Sequence, residues 1–135
     1  MRFVTAGALV NELLLARAEL RVPKLLRFYG IFDLVLVDEL GYVPFSREAA
    51  QLLFEFFSDR YETRATALTT NLPFAQWTRV FGDETMTVGL LDRLTHRSHV
   101  LLLNGESYRL KESRRRTTSP KHTDPQAPEG GDKTP

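Results

Sequence analysis

Two hydrophobic periods alternate along the chain. Residues 2–6, RFVTA, form a short apolar stretch of strand type, and the following GALVNELLLARAEL places Leu9, Leu13 and Leu20 beside Val10 and Leu14 on one stripe. That spacing, close to 3.6 residues, predicts a helix. FDLVLVDE, residues 32–39, runs apolar at consecutive positions, as a strand covered on both faces does. SREAAQLLFEFFSDRYE returns to the helical period through Ala49, Leu52, Leu53, Phe56, Phe57 and Tyr61, with Ser46 placed to cap the helix and Glu48 in its first turn. ATALTTN (65–71) predicts a strand, LPFAQWTRVFG a turn and short helix, and TVGLLDRLTHR another helix. HVLLLNG (99–105) predicts a further strand, with SYRL as a short final one. Strands alternating with helices imply an α/β fold, with parallel strands, crossover helices and both sheet faces covered.

Composition changes near Glu112. ESRRRTTSPKHTDPQAPEGGDKTP holds four of the seven prolines and no aromatic or large aliphatic residue, so residues 112–135 are expected to be a disordered tail. Residues 1–111 balance 13 basic against 13 acidic residues, and the tail supplies the net charge of +1. No global basic field therefore points to nucleic acid. Arg114, Arg115 and Arg116 suit phosphate contacts as well as a solvated linker. The chain has no cysteine, which removes disulfides, thiolate metal sites and cysteine nucleophiles and fits a cytoplasmic protein. No apolar run approaches the ~20 residues of a membrane helix.

In open α/β sheets, ligands sit beyond the carboxyl ends of the strands. Asp38 and Glu39 stand at one such end and Asn71 at the next. Four aliphatics running into two acids form the Walker B pattern of nucleotide hydrolases. There one carboxylate holds magnesium through its waters and the other orients the attacking water. A strand that merely ends in a charged turn looks similar, and Asn71 before Leu72-Pro73 also suits a plain turn. His96 and His99 share an H-x-x-H spacing but no HExxH pattern, and Trp77, Phe74 and Phe81 fit packing better than base stacking. No G-x-S-x-G elbow occurs.

VLVDELGYVPFSREAAQLLFEFFSDRYE, followed by TTNLPFAQW, FGD and LLDRLTHRSHVLLLNGESYRLK, closely resembles the IstB-like ATPases. These are helper proteins of bacterial insertion sequences, related to the DnaC helicase loaders within the AAA+ superfamily. The resemblance covers residues 2–111. It implies an ATP- and magnesium-dependent hydrolase that oligomerises on DNA and assists a transposase. It further implies that Asp38 is the magnesium-associated acid, that Glu39 is the catalytic acid, and that Asn71 is the polar sensor near the γ-phosphate. Arg93 in LLDRL resembles the arginine finger that reaches a neighbouring subunit's nucleotide, which makes its surface the expected homo-oligomer contact. An exposed helix arginine with no such role is the commoner fate of such a residue.

A phosphate cradle, G-x-x-x-x-G-K-[ST], is not found: no Gly-Lys dipeptide occurs in the 135 residues. By the resemblance, RFVTAGALVNELL matches the second strand and helix of an AAA+ core of strand order 5-1-4-3-2. The expectation is therefore a partial P-loop NTPase core without its first strand and Walker A loop, a C-terminal portion inactive by itself. Two alternatives remain open: a helicase-loader ATPase fragment, and a non-enzymatic module that docks on intact ATPase subunits. GYVPFSREAAQLLF and GESYRLK favour the transposition branch.

Overall fold

The computed structural model describes residues 1–42, 44–96, 98–103 and 112–116. The chain divides into two units, Met1–Val100 and Leu101–Pro135. The first carries β1 (Arg2–Thr5), α1 (Ala6–Ala18), α2 (Val22–Gly30), β2 (Leu34–Leu40), α3 (Arg47–Arg60), β3 (Ala65–Thr70), a single 3-10 turn (Phe74–Gln76), α4 (Trp77–Phe81) and α5 (Glu84–Thr95). In the second, residues 101–103 are exposed and irregular and residues 112–116 are helical. The expected tail thus begins with a helical turn, and its remainder lies outside the described residues, as do residues 104–105 of HVLLLNG and the SYRL strand.

The three strands form one parallel sheet in the order β1-β2-β3. Thr5 lies opposite Asp38, Phe3 opposite Leu36, and Leu36 opposite Ala67. The sheet is therefore the parallel α/β arrangement that the strand and helix periods predict. Its two faces differ. Val4, Val35 and Val37 are buried, and α1 and α3 pack on each other with α1 against β2. The alternate positions are more open: Phe3 is 57% exposed and Leu34 and Leu36 are half-buried. Coverage of both faces was expected; among the described residues one face is fully covered.

Local chemistry sets the element ends. The Thr5 hydroxyl accepts from Ala8 N at 3.2 Å, so α1 starts where β1 stops. Ser46 caps α3 through Ala49 N at 3.2 Å, as the sequence predicts. In FGD, Gly82 ends α4 with φ +75° and Asp83 caps α5 through Met86 N at 2.8 Å. That tripeptide is a joint between two helices.

Three expectations change. Leu20 leaves the α1 stripe: it sits at φ +56°, 91% exposed, because the helix has already ended at Ala18. Helix α2, absent from the periodicity, forms behind Pro23 in the first turn and buries Tyr29. Residues 98–103 form no strand. An isolated extended segment gains no ladder hydrogen bonds, however apolar it is.

Candidate functional site

Strict alternation along β2 would send Val37 into the core, Asp38 out, Glu39 in and Leu40 out. The strand does otherwise. Val37 and Leu40 are both buried, Asp38 is half-buried, and Glu39 is exposed. A bulge makes the change: the pairing with β3 is regular to Val37↔Leu68 and resumes only at Leu40↔Thr70. Glu39 takes φ +64°, a left-handed conformation that a glutamate rarely adopts. The extra residue turns Glu39 out of the core and gives Leu40 the buried place.

Asp38 and Glu39 therefore stand together at the carboxyl end of the central strand. Asp38 shares the more open sheet face with Phe3, Thr5 and Leu36. Its Oδ1 accepts a hydrogen bond from the Thr69 hydroxyl on β3. The same hydroxyl accepts from Glu39 N at 3.0 Å. One position on, the Thr70 hydroxyl donates to Leu40 O at 2.7 Å and accepts from Leu72 N at 3.1 Å. Asn71 is exposed in the turn between them. Neither threonine is singled out by a motif; the signal present in the sequence is two adjacent hydroxyls directly before Asn71.

The carboxylate, hydroxyl and amide oxygens here suit a hard cation such as magnesium. Among the described residues, no three of His, Cys, Asp or Glu converge as a metal cage. The described donors therefore offer no all-protein cage, and Asp38 is the carboxylate nearest the hydroxyls of this strand end.

Arg93 lies apart from this strand end. It is half-buried on α5, donates from Nη1 to Ser58 Oγ on α3 at 2.8 Å, and stacks 4.7 Å from the centre of the Phe54 ring. With Tyr61, Asp92, Thr95 and His96 it lines an open hollow of about 490 Å³. His96 meets the Tyr61 hydroxyl through Nδ1. Trp77 is buried against Phe74 and Phe81 and donates from Nε1 to Leu72 O at 3.2 Å. The indole thus steadies the turn that carries Asn71. No described helix is long and apolar enough to cross a membrane.

A family profile described as IstB-like ATP binding protein matches residues 1–116. The ATP-binding protein of insertion sequence IS21 from Pseudomonas aeruginosa is 39% identical over 123 residues, 91% of this chain and 46% of the relative. That of IS232 from Bacillus thuringiensis is 38% identical over 110 residues, 82% of this chain and 44% of the relative. That of IS5376 from Geobacillus stearothermophilus is 39% identical over 112 residues, 83% of this chain and 45% of the relative. The chain spans a little under half the length of each of these relatives.

Proposed function

The chain belongs to the family of IstB-like ATP binding proteins, and from that premise we propose that it supplies the acidic half of an ATP-binding centre in a helper ATPase of insertion-sequence transposition. The observation that carries this is the bulged end of β2, where Asp38 and Glu39 emerge together next to the Asn71 turn.

Magnesium, when bound with ATP, would supply charge neutralisation at the phosphates. Asp38 would face it through a water. Glu39, exposed and free of the core, would accept a proton from the attacking water or orient it. Asn71 would hold that water's partner oxygen by its amide. Arg93 would serve a nucleotide on a neighbouring subunit of a homo-oligomer, for which it must leave Ser58 and Phe54. DNA and a transposase are the partners this role requires.

These 135 residues include no lysine-bearing phosphate loop. The chain alone is therefore expected to turn over no ATP, and to act on a nucleotide only beside a subunit or segment that supplies the loop. The test is phosphate release by the purified chain with magnesium and ATP, alone and mixed with the full-length IS21 relative. No release alone, and an altered rate of the relative that Arg93→Ala weakens, are expected. Release by the chain alone that Glu39→Gln abolishes would overturn the inactivity. An unchanged rate on mixing would overturn the docking.

A further inference from the structure

The bulge in β2 disturbs the backbone pairing at the point where the acids emerge. Glu39 N loses its place in the ladder because Asp38 and Glu39 together face Thr69. Freed main-chain groups inside a sheet are costly unless something bonds them.

Two hydroxyls do so. Thr69 accepts from Glu39 N at 3.0 Å and donates to Asp38 Oδ1. Thr70 donates to Leu40 O at 2.7 Å and accepts from Leu72 N at 3.1 Å. A hydroxyl has one hydrogen and two lone pairs, so each threonine acts once as donor and once as acceptor. The directions are mutually consistent. With its hydrogen committed to Asp38, Thr69 must meet Glu39 N as an acceptor.

We infer that Thr69 and Thr70 are positioning residues that form a hydroxyl clamp across the bulge. Thr69 orients the Asp38 carboxylate and holds Glu39 in its left-handed conformation. Thr70 ties the Asn71 turn to the same strand end through Leu72 N. A displacement of Asn71 is thereby passed to the backbone beside both acids. The clamp's purpose rests on the reading of Asp38 and Glu39 as the acidic half of an ATP centre; its existence does not.

The clamp makes separable demands on substitutions. Valine keeps the branched shape at position 69 and removes the hydroxyl. Serine keeps the hydroxyl and removes the methyl. A purely structural strand residue would tolerate valine better, since β-branching favours strands. A clamp requires serine.

The experiment uses the full chain labelled with ¹⁵N, and reads amide hydrogen exchange together with the Mn²⁺-induced broadening of the Asp38 signal in the presence of ATP and the unlabelled full-length IS21 relative. Thr69→Val is expected to speed Glu39 exchange about tenfold, the effect of one lost hydrogen bond, and to weaken the Mn²⁺ response several-fold. Thr69→Ser is expected to stay within about twofold of the parent in both, which equally excludes a folding defect as the cause. Thr70→Val is expected to speed exchange at Leu72. The clamp is overturned if folded Thr69→Val protects Glu39 as the parent does, or if serine fails as badly as valine. If the parent gives no Mn²⁺ response at Asp38, the magnesium reading fails, and Glu39 exchange still decides the clamp.

Discussion

Gly41 and Leu72 approach so closely that a Cβ on the glycine would lie 2.7 Å from Leu72 Cδ1. The glycine also sits at φ +99°, where side chains are strained. The turn after β2 and the turn after β3 are thus packed against each other directly beyond the acids. Gly41→Ala is expected to cost about 1–3 kcal/mol, through backbone strain and the displacement of Leu72. Urea unfolding measures it. A change within ±0.5 kcal/mol would mean that the two turns are not locked as described.

Glu39 holds its conformation at an energetic cost. A non-glycine residue in the left-handed region costs on the order of 1–2 kcal/mol. Glu39→Gly is therefore expected to leave stability unchanged or to raise it by up to about 1 kcal/mol, whereas Glu39→Val should lower it by more than 1 kcal/mol. The opposite order in thermal melts would show that the bulge is not strained at this residue.

Arg60 is only 2% exposed, and among the described residues its guanidinium forms no salt bridge. It donates to Tyr29 O at 2.8 Å, Phe32 O at 3.1 Å, Ala65 O at 2.7 Å and Thr66 Oγ1 at 3.0 Å. Burial pushes its pKa down. The fork thus ties the end of α3 to the end of α2 and the start of β3. Arg60→Ala removes all four of these bonds, leaving Tyr29 O with backbone donors only, and should cost about 3–5 kcal/mol. Arg60→Lys, which lacks the planar fork, should recover less than half of that. A lysine variant as stable as the parent in urea unfolding would contradict the role given to the fork.

Tyr29 is fully buried and donates its hydroxyl to Glu12. Burial, and then the Glu12 carboxylate, push its pKa up to about 12. Between the unfolded value of 10 and that value, the folded chain keeps a proton that the unfolded chain loses. Stability present below pH 10 is therefore lost as the pH rises toward 12, on the order of 2 kcal/mol. Comparing unfolding midpoints of the parent and Tyr29→Phe over this interval isolates the effect. Parallel pH profiles for the two would contradict it.

Much of the architecture follows from local pattern. The apolar run of β2, the 3.6-residue stripe of α3 and the Ser46 cap are properties of neighbouring residues, and all are visible in the sequence. Asp38, Glu39 and Asn71 come to two adjacent strand ends because parallel strands put their carboxyl ends together. What the sequence hides depends on distant partners. The Glu39 bulge exists through Thr69, 30 residues away. Three of the four acceptors of Arg60 are backbone carbonyls, which no residue type announces. VLLL at 100–103 has the same apolar signature as LVLV in β2, yet only the latter has strands beside it among the described residues. Leu20 fits the helical stripe by count but falls after the helix has ended.

The central claim is that Asp38 is the cation-facing acid of an ATP centre. Its most direct measurement is a Mn²⁺ titration of the ¹⁵N-labelled chain in the presence of ATP and the unlabelled full-length IS21 relative, which supplies the phosphate loop, followed by paramagnetic broadening of amide signals, in the parent and in Asp38→Asn. Broadening centred on Asp38, Glu39 and Thr69 in the parent, and lost in Asp38→Asn, is the expected result. Broadening centred elsewhere, or unchanged when Asp38 becomes asparagine, would contradict it.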